Sequence, residues 1–166
     1  MKGQGKYPRK RLARLKTEAK RMEGLAFTPH KKNRFPAPWQ NVCLARRLST
    51  GLIQVADDLH VGFIAREGER YEQRAIFGCL FKGSPPNALT PLLRLDWHPS
   101  HKGLHAVVNC EDDRDLRGRN LSGKELDLGS YGVAFLDPED EQDRLKFVDI
   151  FCSVCNITLG GEGLFS

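Results

Sequence analysis

Three of the chain's five histidines, His98, His101 and His105, fall between positions 98 and 105. Arg94 and Asp96 precede them and Lys102 lies among them. Imidazoles beside a carboxylate and a cation are the parts of metal-free RNA cleavage. A neutral imidazole takes the 2′-hydroxyl proton, and a protonated one returns a proton to the leaving oxygen. Arg94 or Lys102 would offset charge developing on the phosphate. Asp96 would fix the tautomer of His105. The chemistry requires one element to hold these groups on one face.

A β-hairpin does so. PLLRLDW (91–97) and LHAVVNC (104–110) read as strands joined by HPSHKG. Side chains alternate along a strand. Leu93, Leu95 and Trp97 therefore share one face with Leu104, Ala106 and Val108 across the ladder. If that apolar face meets the core, Trp97 lies beside Leu104 and Leu95 beside Ala106. Asp96 then stands opposite His105, at the roughly 4.5–5.5 Å spacing of cross-strand neighbours, with Arg94 one step along. The plainer reading is a wet polar face on which Asp96 and His105 form a cross-strand pair worth about 0.2–1 kcal/mol.

The rest of the chain supplies a body for this hairpin. GLIQVA (51–56) and LHVGFIAR (59–66) flank a turn at Asp57 and Asp58, and RAIFGCLFKG (74–83) is a further apolar run. Residues 111–130 are charged and contain glycine, so they read mostly as loop. Asp137-Pro138-Glu139-Asp140 reads as a helix start, with Asp137 as the capping side chain. Leu145, Val148, Phe151, Cys152 and Cys155 then recur at helical spacing. GGEGLFS reads as a flexible tail. Strands segregated from helices predict an α+β fold: an antiparallel sheet of about four to six strands packed on a C-terminal helix.

Charge divides the chain. Residues 1–34 hold 12 Lys and Arg against Glu18 and Glu23, a net +10; residues 35–166 hold 14 against 19, a net −5. Between Pro8 and Gly24, Leu12, Leu15, Ala19 and Met22 fall on one helical face. Arg9, Lys10, Arg11, Arg14, Lys16, Lys20 and Arg21 cover much of the remainder. This predicts an N-terminal basic amphipathic helix. Pro29, Pro36 and Pro38 then suggest an extended connector on which Lys31, Lys32 and Arg34 continue the basic surface. The predicted division is a basic arm and connector over 1–41 and an α+β body over 42–166. Such a cation density suits phosphate binding by ion pairing and counterion release, with RNA expected over DNA. An anionic protein surface is the other expected partner.

Composition excludes several classes. Hydrophobic residues make up 40% of 166, enough for a core. No apolar run approaches the ~20 residues that cross a bilayer, so no membrane partner is expected. Five cysteines at irregular spacing do not suggest a disulfide framework, and no secretory signal is visible, so the expected compartment is the cytoplasm.

Other motifs are weaker. Cys152 and Cys155 have the spacing of half a zinc site but lack a second pair. Gly118 to Lys124 resembles a phosphate-binding loop, yet Glu125 stands where Ser or Thr should hold magnesium. Glu111, Asp112, Asp113 and Asp115 are interleaved with arginines and suit a self-paired loop. No metal and no cofactor is therefore expected. No family is identified from these residues; only the general plan, a hairpin followed by an acidic turn, is similar to that of small nuclease toxins. The expected function is a small nucleic-acid-directed protein, with metal-independent ribonuclease activity carried by the hairpin. The alternative is a non-enzymatic accessory or inhibitory subunit of a nucleic-acid-processing complex.

Overall fold

Apolar residues at every second position across three long central runs build the sheet on which the rest of the chain packs. The computed structural model describes residues 10, 14, 17–29, 47–83, 85, 89–99, 103–109, 118–122 and 135–160. Among them, ten strands run in chain order: β1 (Lys20–Met22), β2 (Thr28–Pro29), β3 (Arg47–Ser49), β4 (Ile53–Ala56), β5 (Leu59–Arg66), β6 (Ala75–Lys82), β7 (Thr90–His98), β8 (Gly103–Asn109), β9 (Gly118–Ser122) and β10 (Ile157–Leu159). The helix α1 spans Glu141–Cys155. The fold is thus mixed α+β, an antiparallel sheet with a C-terminal helix.

The sheet is larger than the four to six strands expected. Its order is β2-β3-β5-β6-β7-β8-β9, with β4 also paired to β5. β3 and β4 share one edge of β5 and are separated at Thr50–Leu52. There the Thr50 hydroxyl accepts from the Phe63 N–H at 3.1 Å, replacing a ladder bond. β9 lies within the stretch expected to be loop: its backbone pairs with the edge of β8, which compensates for a poorly apolar sequence.

One sheet face carries Val61, Phe63, Ile76, Leu80, Leu93, Leu95, Trp97 and Ala106, all at most 2% exposed. α1 covers this face with Phe147, Val148, Phe151 and Cys155. Phe63 meets Phe151 edge-on at 5.0 Å. Gly78 makes room for that contact, since a Cβ there would fall 2.8 Å from Phe151 Cδ2 and 2.9 Å from Phe63 Cδ1. Burying each such phenyl contributes about 1.5–3 kcal/mol.

Asp140, not Asp137, caps α1, accepting from Gln142 N at 2.8 Å. Asp137 is occupied elsewhere, bound by Arg74 at 3.2 Å and by the Glu139 N–H at 3.0 Å. α1 ends at Asn156, which adopts the left-handed conformation (φ 54°) suited to a helix C-terminus. The chain then runs straight into β10.

The N-terminal expectation needs correction. A helix running from Pro8 to Gly24 is not what forms: Lys20–Met22 is a strand, paired in parallel with β10. Residues 10, 14 and 17 are helical and the Glu18 N–H reaches the Arg14 carbonyl at 3.0 Å, but two residues later the Lys20 N–H turns to the Asn156 carbonyl at 3.2 Å. Met22 is fully buried in the core. A helix would carry Met22 away from that site, so tertiary burial overrides a weak local preference among like charges. The tail from 161 onward lies outside the described residues, while Gly160 is held by a 2.8 Å bond from its N–H to the Met22 carbonyl. Among the described residues no helix is long and apolar enough to cross a membrane.

Candidate functional site

The hairpin β7–β8 pairs Asp96 with His105, Trp97 with Leu104 and Leu95 with Ala106. This register matches the parity argument. Trp97, Leu95, Leu104 and Ala106 anchor the hairpin in the core, which forces Arg94, Asp96, His98 and His105 onto the opposite face.

On that face the side chains converge. Arg94 Nε lies 2.8 Å from Asp96 Oδ1 and 3.0 Å from Oδ2. His105 Nε2 lies 3.3 Å from Asp96 Oδ2. The rings of His98 and His105 meet edge-to-face, with centroids 6.2 Å apart. The carboxylate is buried, 4% exposed, whereas the Arg94 and His105 side chains are 31% and 24% exposed. A buried carboxylate thus organises a guanidinium and an imidazole that remain within reach of solvent. Desolvating a carboxylate is costly unless it is paired. Here Arg94 and His105 both meet Oδ2, while Oδ1 is buried without a hydrogen bond and relies on the nearby guanidinium charge. Phe77 and Cys79 stand opposite Asp96 and Arg94 on the neighbouring strand, giving the site an apolar flank. Burial pushes the Cys79 thiol well above its ordinary range, with Arg94 opposing and Asp96 adding to the shift, so it is a packing group rather than a nucleophile.

His101 and Lys102 lie outside the described residues, as do Arg9, Arg11, Lys16, Lys31, Lys32 and Arg34. Lys10, Arg14 and Arg21 are exposed. Arg21 forms a 2.9 Å ion pair with Glu23 in which both partners are mostly solvated, so little binding capacity is lost. Lys20 must be removed from the phosphate-binding set. It is 4% exposed, and its ammonium donates to the carbonyls of Glu18 at 2.6 Å and Cys155 at 2.5 Å.

The Gly118–Lys124 resemblance to a phosphate loop is not realised, because Gly118–Ser122 is a strand. Cys152 and Cys155 are both buried within α1. Among the described residues no three His, Cys, Asp or Glu side chains group as metal ligands. A shallow cleft of about 480 Å³ is lined by β1, β4 and β10, including Lys20, Arg21 and Asp57; the imidazole pair lies elsewhere, on β7 and β8.

One feature escaped sequence reasoning. Phe135 is 78% exposed and stacks on Tyr71, with centroids 5.0 Å apart and planes 13° from parallel. No local periodicity signals it, because the two rings lie 64 positions apart, Tyr71 opening the 3-10 turn Tyr71–Gln73, and folding alone brings them together. Comparison with protein-family models, with known proteins and with solved structures finds no match to this chain.

Proposed function

We propose that the protein is directed to nucleic acid, RNA rather than DNA, and cleaves it without metal at the Arg94–Asp96–His98–His105 face. The observation that supports this is the convergence of two imidazoles, one guanidinium and one buried carboxylate on a single hairpin. In the proposed reaction a 2′-oxygen attacks phosphorus and the bond from phosphorus to the 5′-oxygen breaks. The neutral imidazole of His98 accepts the 2′-hydroxyl proton. The imidazolium of His105 gives a proton to the leaving 5′-oxygen, which requires its ring to turn one nitrogen outward. Arg94 attracts the phosphate, and Lys10, Arg14 and Arg21 add affinity by counterion release. His101 and Lys102, in the hairpin loop by sequence, would complete the site.

One observation favours a second reading. His105 Nε2 faces Asp96 and its Nδ1 is buried, so neither ring nitrogen points outward. That suits an ion-pair network in a non-enzymatic interaction protein. Incubating the chain with RNA in the presence of a chelator separates the two. Cleavage that falls about 10²–10⁴-fold in both His98→Ala and His105→Ala supports the enzyme. Salt-sensitive binding with no cleavage supports the interaction protein. Cleavage unchanged in His105→Ala removes that residue from the mechanism.

A further inference from the structure

Among the described residues Phe135 is the one large hydrophobic side chain left exposed. It is nevertheless well supported. Beneath it, Tyr71 packs edge-on against the buried Trp97 at 6.0 Å, and the Tyr71 hydroxyl donates to the Leu136 carbonyl at 2.7 Å. The outer ring therefore rests on an aromatic stack that reaches the core. A phenyl face carries the negative part of the ring quadrupole and attracts cations.

The surroundings share that preference. Over 135–146 five acidic residues stand against two basic ones, and over 67–74 three against two. Asp137 and Glu139 share a single guanidinium, Arg74, at 3.2 and 2.9 Å. Asp143 accepts from the Asp137 N–H at 2.8 Å and meets the largely exposed Lys146 at 3.6 Å. Arg144 is committed to the Pro138 carbonyl at 2.9 Å and lies over Phe27. The field at the stack is negative enough to be felt by Tyr71, whose hydroxyl is pushed up by burial and then by Asp137 and Asp143, against Arg74.

We infer that the Phe135–Tyr71 stack, with Asp137 and Glu139 following it in the chain, is a docking site for an arginine-bearing, basic segment of a protein partner. The guanidinium lies over the Phe135 ring and neighbouring cations meet the carboxylates. A polyanion is disfavoured at this face by the same charges, so the site is distinct from the RNA-directed surface proposed above.

The test uses the full chain and a fluorescent Arg-Gly repeat peptide, with Gln-Gly and Glu-Gly repeats as controls, read by anisotropy at low salt. The expected order is arginine above glutamine above glutamate. Phe135→Ala and Phe135→Leu each weaken the arginine peptide about two- to fivefold, whereas Phe135→Trp retains or improves binding. Circular dichroism confirms that these surface variants fold. Several results would overturn the inference: equal binding of the arginine and glutamine peptides, a Leu variant as good as the parent, or RNA binding weakened by Phe135→Ala. Self-association of the chain that Phe135→Ala abolishes would make a second copy the occupant and would also overturn it.

Discussion

The ammonium of Lys20 donates to the carbonyl of Cys155, the last residue of α1, across 135 positions of sequence. A helix C-terminus presents unsatisfied carbonyls and the negative end of the helix dipole, and a cation there satisfies both. The contact ties the start of the chain to the end of the helix that covers the core. Lys20 is therefore a structural cation, whereas Lys10, Arg14 and Arg21 are exposed.

Replacing Lys20 with Met should lower stability by about 1–3 kcal/mol, read by urea unfolding, because two carbonyls lose a charged donor. The pH dependence has a defined sign. Burial lowers the Lys20 ammonium below its ordinary value of 10.5, outweighing the opposite pulls of Cys155 and Glu18. In the window below 10.5 the unfolded chain then binds more protons than the native one, so this group makes stability rise with pH there. Lys20→Met should lack that rise. A variant as stable as the parent would show that the contact carries no weight.

The cysteines act in the opposite direction. Burial pushes Cys152 and Cys155 from the ordinary 9.0 up to about 12, with Lys20 opposing the shift at Cys155. The native state retains these protons after the unfolded state has lost them. Their contribution is complete below pH 9 and is lost as pH rises toward 12. Alkylation with iodoacetamide at pH 8, followed by peptide mapping, should leave Cys79, Cys152 and Cys155 unmodified until denaturant is added. Modification of any of them in the native protein would contradict their burial.

Asp96→Ala should cost about 1–3 kcal/mol, less than a fully buried pair, because Arg94 and His105 retain some access to water. Asp96→Asn should cost less, since an oxygen acceptor survives. Chemical denaturation of the two variants measures the difference. An alanine variant with unchanged stability would show that the carboxylate does not organise its neighbours.

The register of β7 and β8 was legible because it depends on a local rule. Leu93, Leu95 and Trp97 alternate with Arg94 and Asp96, and one core-facing choice places every side chain of the hairpin. The helix α1 was legible in its apolar spacing, yet its cap was misplaced by three residues. Asp137 and Asp140 are equivalent as residue types, and what distinguishes them is that Arg74 and the Glu139 N–H engage the Asp137 carboxylate. The candidate site was legible to the same depth as the hairpin. Facing positions followed from parity, whereas the inward turn of both His105 nitrogens did not, because ring orientation depends on what surrounds it.

Sequence alone determined the alternating core strands, the Asp96–His105 pairing, the apolar face of the C-terminal helix and the uneven charge. Each follows from residue order over a few turns or one hairpin. Tertiary structure decided that Lys20–Met22 is a strand on β10, that Gly118–Ser122 extends the sheet, and that Phe135 stacks on Tyr71. For β1 and Phe135 the physical reason is the same: a backbone N–H or a ring face takes whichever partner folding brings to it, and those partners lie too far along the chain for any local pattern to name. For β9 the partner strand is next in the chain, but its polar sequence hides a strand that backbone pairing to β8 supports.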